Sequence, residues 1–172
     1  FIGNIDKEAA KPLIEQYIGA LPSTGKHEKA NGKVMPKERT GYRESIFDQK
    51  METPKTMVYI TYSGKEKYNL KNTIVMSMLS QVMRTVYTET IREEEGGTYG
   101  VSTSGSLSRT PKNSFSYVIA FDTNKEQASS LADRTIAELK KVAEEGPSTE
   151  TFDNIRAYMQ KEYESSIKEN KY

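Results

Sequence analysis

Residues 89–101 read Glu-Thr-Ile-Arg-Glu-Glu-Glu-Gly-Gly-Thr-Tyr-Gly-Val, and they constrain the fold more than any other part of the sequence. A long helical pattern ends there at Gly96 and Gly97, and the alternating pattern of a strand begins directly afterwards. Two glycines allow the backbone to adopt the positive φ of a helix C-terminal cap. A helix that leads straight into a strand favours a fold in which helices pack on a sheet.

Apolar periodicity extends this interpretation along the chain. It predicts helices over residues 7–19, 70–93, 123–145 and 148–167, which follow Asp6, Ser63-Gly64-Lys65, a Thr123–Glu126 capping box and Ser148. It also predicts strands over residues 40–47, 57–62, 100–108 and 114–122, the first of them weak. This order predicts an α+β fold, with helices packed on one face of a mainly antiparallel sheet, in a single domain over residues 1–172.

The same periodicity predicts which side chains are buried. For the long helix it favours a core role for its methionines over a pliable binding stripe, because methionines at helical spacing usually fill cores. The predicted inward residues are Ala10, Leu13, Ile14, Tyr17 and Ile18 in the first helix, Ile74, Met76, Met78, Leu79, Val82, Met83, Val86 and Ile91 in the long helix, Phe115, Tyr117, Ile119 and Phe121 in the last strand, Leu131, Ile136, Leu139 and Val142 in the third helix, and Phe152, Ile155, Met159, Tyr163 and Ile167 in the fourth.

Composition excludes several classes of function. Without cysteine, the chain has no disulfide, thiolate nucleophile or thiolate metal site. The only histidine is His27, in a polar loop over residues 23–36 that we expect at the surface, so no Ser-His-Asp set or paired-histidine zinc site is possible. The 25 basic and 24 acidic residues are mixed along the sequence, which argues against a nucleic-acid partner. No apolar run of about 18 residues is present, so we predict a soluble protein without a membrane span.

Arg92 and Tyr99 are the first candidates for chemistry. Arg92 falls in the predicted last helical turn and Tyr99 opens the next strand, so a guanidinium and a phenol can converge beside one turn. Both are hydrogen-bond donors suited to a carbonyl, a carboxylate or a developing oxyanion. The alternative is that Arg92 interacts with the negative end of its own helix and the adjacent glutamates, while Tyr99 is an ordinary strand aromatic. Spacing alone favours that alternative.

Two further groups of residues are candidates for a binding site. The carboxylates of Glu93, Glu94 and Glu95 cannot all face one metal ion, because consecutive helical residues point about 100° apart, so a solvated acidic edge is predicted. The hairpin over residues 98–117 is rich in serine and tyrosine and could bind an extended peptide as an added strand. Composition alone does not show whether this hairpin has a peptide-binding edge or an ordinary solvated edge.

The sequence Arg92-Glu-Glu-Glu-Gly96-Gly97-Thr98-Tyr99 resembles the Arg-x3-Gly-x2-Tyr signature of the pitrilysin and insulinase superfamily of zinc peptidases, which includes the mitochondrial processing peptidases. The signature lies in the C-terminal domains of that superfamily. Residues 1–6, 17–22 and 146–150 resemble other landmarks of these domains in the same order, so the resemblance covers nearly the whole chain. Within this superfamily, the sequence resembles most the large bacterial zinc proteases that carry four such domains.

The resemblance implies a C-terminal, non-metal-binding domain that is truncated at both ends and inactive alone. Arg92, Gly97 and Tyr99 would bind the peptide substrate, with Arg92 and Tyr99 also assisting catalysis. The zinc of the parent enzyme, absent from this part, would lie in an N-terminal domain of the same polypeptide or of a partner subunit, on a His-x-x-Glu-His helix that this sequence lacks. The compartment stays open between the bacterial periplasm or cell envelope and the cytoplasm. The alternatives are a structural or peptide-binding domain without a role in turnover, and an unrelated α+β interaction module.

Overall fold

The computed structural model describes residues 3–23, 25, 40–53, 55–94 and 100–168, with the backbone alone for residues 92–94. The chain divides into two compact units, Phe1–Arg43 and Glu44–Tyr172, and each is described by itself. A single domain over the whole chain stays a prediction.

The first unit contains helix α1, Lys7–Ile14, which continues as a π-helical turn, Glu15–Gly19. Asp6 caps it as predicted, because its carboxylate accepts hydrogen bonds from the backbone N–H groups of residues 8 and 9 at 3.0 and 3.2 Å. No residue of this helix is buried, and Leu13, Tyr17 and Ile18 are each more than half exposed. The prediction that one face of this helix packs on a sheet stays a prediction, because the described strands belong to the other unit.

The second unit is α+β, which confirms the predicted fold class. Its elements are β1 Thr56–Gly64, α2 Leu70–Tyr87, a π-helical turn Thr88–Glu94, β2 Val101–Ser108, β3 Ser114–Thr123, α3 Ala128–Glu145 and α4 Thr149–Lys168. The three described strands form an antiparallel sheet in the order β1-β3-β2, so β3 is central. Helix α2 packs against β2 and α4, and α3 packs against β1.

Strict alternation divides the sheet into two faces, as the sequence predicts. The inner face carries Tyr117, Ile119 and Phe121 of β3 with Val58, Ile60 and Tyr62 of β1 and Val101 of β2, and it packs on Met83, Tyr87 and Ile91 of α2 and its extension and on Leu131 of α3. Met83 is fully buried and Met76 packs against the same cluster, so their predicted core role is confirmed. The outer face carries the serines of β2 together with Met57 and Tyr59.

Three predictions about local structure are wrong. Residues 40–47 form no strand, and Ile46 and Phe47 are at least 80% exposed. Helix α3 begins at Ala128 rather than at a Thr123–Glu126 capping box, because the Asn124 side chain accepts a hydrogen bond from the Gln127 N–H at 2.8 Å and holds a turn there. Some predicted inward residues are exposed: Ile74 in α2, and Phe152, Tyr163 and Ile167 in α4, whereas Ile155 is buried.

Helix α4 begins as predicted. The Ser148 hydroxyl accepts a hydrogen bond from the backbone N–H of Thr151 at 3.0 Å, which satisfies one of the free donors of the first turn. Gly146, which ends α3, has a φ of +77°, a value that strains any residue with a side chain.

Candidate functional site

The turn between α2 and β2 carries the residues that the sequence singles out. Arg92 lies in the π-helical turn Thr88–Glu94 that extends α2, and only its backbone is described. Gly96, Gly97 and Tyr99 lie outside the described residues, as do Glu95 and His27. Convergence of the Arg92 and Tyr99 side chains therefore stays a prediction.

The described residues on either side of this segment are buried. Ile91, directly before Arg92, is fully buried, and Val101, directly after Gly100, is 7% exposed. Both belong to the same core cluster.

Threonines in the last turns of the helix bond back to carbonyls of the preceding turn. The hydroxyls of Thr88 and Thr90 donate to the carbonyls of Arg84 and Val86, both at 2.8 Å. Such bonds compete with the backbone ladder and bend helices. They lie where the helix widens to π geometry, a rare form that is often found at functional sites.

A cleft of about 400 Å³ opens at the end of the sheet where β2 begins and β3 ends. It is lined by Met57, Tyr59, Arg84, Gly100, Val101, Ser102, Ala120, Phe121 and Asp122. The strand register places Tyr59 and Ser102 on either side of Ala120 across the outer face, so the smallest side chain occupies the middle of that row. Sequence reasoning missed this cleft, because its walls come from three strands and a helix that only the register brings together.

Tyrosines on the opposite face of the sheet form a second polar group, which is buried. Tyr87 donates its hydroxyl to the Thr135 carbonyl at 3.1 Å, whereas the Tyr117 hydroxyl has no hydrogen-bond partner among the described residues. Burial raises the pKa of Tyr117 to about 12, and the nearby Thr103 hydroxyl opposes part of this rise. The Thr103 hydroxyl itself donates a hydrogen bond to the Ser80 carbonyl at 2.7 Å. The pKa of Tyr87 is also raised, first by burial and then by the nearby Tyr117. Both phenols are neutral near pH 7, which suits packing rather than proton transfer.

One buried carboxylate adjoins these tyrosines. Glu138 of α3 is 7% exposed, and its carboxylate pairs with the Arg134 guanidinium at 3.1 Å, one helical turn away. Burial of an ionised group requires such a partner. The sequence pattern gives no sign of this pair, because both residues look like members of a solvated helix face.

The comparisons with known proteins decide the family. The family model described as "Peptidase M16 inactive domain" matches residues 1–159. The chain belongs to the peptidase M16 family. The predicted resemblance to a C-terminal domain of the pitrilysin type is thereby confirmed, and the matched domain is the inactive type.

A solved structure supports the fold of this M16 domain. The periplasmic protease PqqL from Escherichia coli is similar with a TM-score of 0.67 at 19% sequence identity, over 93% of this chain and 18% of that chain. The M16 chain thus spans less than a fifth of the protein it resembles. No curated protein matches the sequence.

Two searches of the described part of the M16 domain bear on metals and membranes. Within residues 3–23, 25, 40–53, 55–94 and 100–168, no three His, Cys, Asp or Glu side chains are grouped so that they could hold a metal ion. None of the described helices is both long and apolar enough to cross a membrane.

Proposed function

We propose that this M16 domain binds substrate and closes the chamber of a zinc-dependent endopeptidase. The observation that carries the proposal is the family match over residues 1–159, which includes the whole Arg92-to-Tyr99 signature. The packing of Ile91 and Val101 supports it, because a clamp for the substrate requires a turn whose ends are held by the core.

In this proposal Arg92 and Tyr99 act by donating hydrogen bonds. The Arg92 guanidinium holds a backbone carbonyl of the peptide, and the Tyr99 hydroxyl donates to the oxygen on which charge develops when the carbonyl is attacked. Gly97 has no side chain, so the peptide backbone can approach the turn closely. Donors held in place before the reaction stabilise the transition state without the cost of reorganisation.

The described residues of this chain do not fit a zinc site, so zinc and the general base belong to another domain in this proposal. That N-terminal, zinc-bearing domain lies in the same polypeptide or in a partner subunit and carries a His-x-x-Glu-His helix. Zinc bound there supplies an activated water for attack on the peptide carbonyl. The similarity to a periplasmic protease supports the bacterial periplasm or envelope over the cytoplasm as the compartment.

The test measures peptide cleavage after the domain is joined to its zinc-bearing half. We expect Tyr99→Phe to lower kcat by about 10²–10³-fold, the usual cost of one oxyanion donor. Arg92→Ala should lower kcat/KM, because it removes a contact to the substrate backbone. The matched controls are Tyr158→Phe and Arg109→Ala, which change exposed residues of α4 and of the β2–β3 connection. Unchanged kcat and KM in both site variants would contradict the assigned roles.

A second function has one observation in its favour, since the matched family description calls the domain inactive. On this alternative the M16 domain is a structural or peptide-binding part of the protease with no role in turnover. Peptide binding by the isolated chain, combined with normal turnover in Tyr99→Phe, would support it. A loss of turnover in Tyr99→Phe, with the peptide still bound, would support the catalytic assignment.

A further inference from the structure

The cleft on the outer face of the sheet has an apolar floor. Ala120 lies in the central strand, with Tyr59 directly across on β1 and Ser102 directly across on β2. Met57 and Tyr59 line the cleft with Ala120 and are 49% and 64% exposed. Exposed apolar surface around a small central residue can receive one side chain of a ligand.

The charges around the cleft do not cancel. Asp122 is paired with the Lys55 ammonium at 3.0 Å, which neutralises that end of the cleft. Arg84 also lines the cleft and is exposed, and within the described part of the chain its guanidinium has no ion-pair partner. The cleft therefore combines an apolar floor with one uncompensated cation.

The position of the cleft connects it to the proposed clamp. Gly100 lines the cleft and directly follows Tyr99 in the chain, and consecutive Cα atoms lie about 3.8 Å apart. An extended peptide advances by roughly 3.3 Å per residue, so a peptide held at Tyr99 reaches the cleft within a few residues.

We propose that this cleft binds an extended stretch of the peptide substrate. An apolar side chain of the peptide lies over Ala120, and a neighbouring acidic side chain lies beside Arg84. This inference rests on the proposed function, because it takes the substrate to be a peptide held at the adjacent turn. It adds a preference for substrates in which an apolar residue and an acidic residue are close together.

Binding to the chain itself is the first test. The chain contains no tryptophan, so a tryptophan placed at the end of a short peptide reports binding by its own fluorescence. Three peptides are compared that share one leucine and differ only in whether the neighbouring residue is Asp, Asn or Lys. We expect the Asp peptide to bind about two- to fivefold more tightly than the Asn peptide, as for an exposed ion pair, and the Lys peptide to bind most weakly. At 1 M salt, where the screening length is about 3 Å, this difference should shrink.

Two variants with matched controls assign the effect to the cleft. Arg84→Gln should remove the preference for Asp, whereas Arg109→Gln, which removes an exposed cation of the β2–β3 connection, should keep it. Ala120→Leu should weaken binding of all three peptides, because the leucine fills the floor of the cleft. Ser106→Leu places a leucine on the same face of the sheet, opposite Ser116, and should leave the binding of all three peptides unchanged. Equal binding of the three peptides, a preference that survives Arg84→Gln, or normal binding by Ala120→Leu would each overturn the proposal.

Turnover in the complete enzyme separates this proposal from the clamp. Arg84→Gln should reduce the ratio of kcat/KM between the Asp and Asn peptides, because only the Asp peptide can pair with the guanidinium. Tyr99→Phe should instead lower kcat for all peptides alike. A lost Asp preference in Arg84→Gln together with normal kcat in Tyr99→Phe would retain the cleft and reject the clamp, and the reverse pattern would reject the cleft alone.

Discussion

The two faces of the sheet are made from the same strands and follow different physical rules. On the inner face Ile119 is fully buried and Tyr117 and Phe121 are at most 4% exposed, so size and shape decide which side chains fit. On the outer face the alternate positions of β2 are all serine, and Tyr59 of β1 is 64% exposed. Packing on the inner face therefore specifies the fold, whereas the exposed residues of the outer face can form a ligand site without disturbing the core.

Removal of a core side chain should show the largest difference between the faces. We expect Ile119→Ala to lower the free energy of unfolding by about 2–5 kcal/mol, because it removes a fully buried side chain and leaves a cavity. Thr61→Ala, on the exposed face of β1, should stay within about 0.5 kcal/mol of the wild type. Urea unfolding followed by circular dichroism measures both. Equal losses in the two variants would show that the outer face is also packed.

A smaller effect is expected where a glycine brings a strand close to the helix. A Cβ on Gly105 would meet the Met76 and Tyr117 side chains, so Gly105→Ala should destabilise the domain by about 1–3 kcal/mol through overpacking. Alanine also lowers the conformational entropy of the unfolded chain relative to glycine, and this offsets about 0.4–1 kcal/mol of that loss. Ser104→Ala, on the other face of the same strand, is the matched control. A neutral Gly105→Ala would mean that the Met76 side chain moves aside at no cost.

The contrast between the faces also explains what the sequence could predict. Alternation in Phe115–Phe121 identified the inner face correctly, because a period of two needs only local geometry. The same reasoning failed for Ile74 in α2 and Tyr163 in α4, since periodicity tells which residues share a face but not whether anything covers that face. The α3 capping box failed because Asn124 competes for the same backbone donors at shorter range.

Only part of the candidate site could likewise be predicted from the sequence. Spacing gave no reason to prefer a functional role for Arg92 over an ordinary helix-end arginine, and the family signature was needed to assign one. The cleft could not be predicted from the sequence, because Tyr59, Ala120 and Ser102 are neighbours only through the register of three strands. Long-range strand pairing is not encoded in any local pattern.

Two buried tyrosines should respond with opposite signs to loss of their hydroxyl groups. Tyr87→Phe removes the hydrogen bond to the Thr135 carbonyl and should cost about 1 kcal/mol. Tyr117→Phe removes a buried hydroxyl that has no partner among the described residues, so it should be neutral or stabilising by about 1 kcal/mol. Thermal or urea unfolding of the two variants makes the comparison. A loss of stability in Tyr117→Phe would show that its hydroxyl is hydrogen-bonded in solution, with Thr103 as the nearest candidate.

The smallest predicted effect is a dependence of stability on alkaline pH. Burial raises the pKa of Tyr117 to about 12 from 10.0, so the unfolded chain releases this proton at a lower pH than the folded chain does. The stabilisation is fully present well below pH 10 and is lost as pH rises from about 10 towards the folded pKa, because the unfolded state then binds fewer protons than the folded state.

For Tyr117 alone, the loss below pH 10 is less than about 1 kcal/mol, and most of the loss falls between about pH 10 and about pH 12. Subtracting the pH profile of Tyr117→Phe from that of the wild type gives the contribution of Tyr117 together with its effect on the pKa of Tyr87. Identical profiles for Tyr117→Phe and the wild type would mean that the inner face admits water around that phenol, and the distinction between the two faces would then be weaker than the packing indicates.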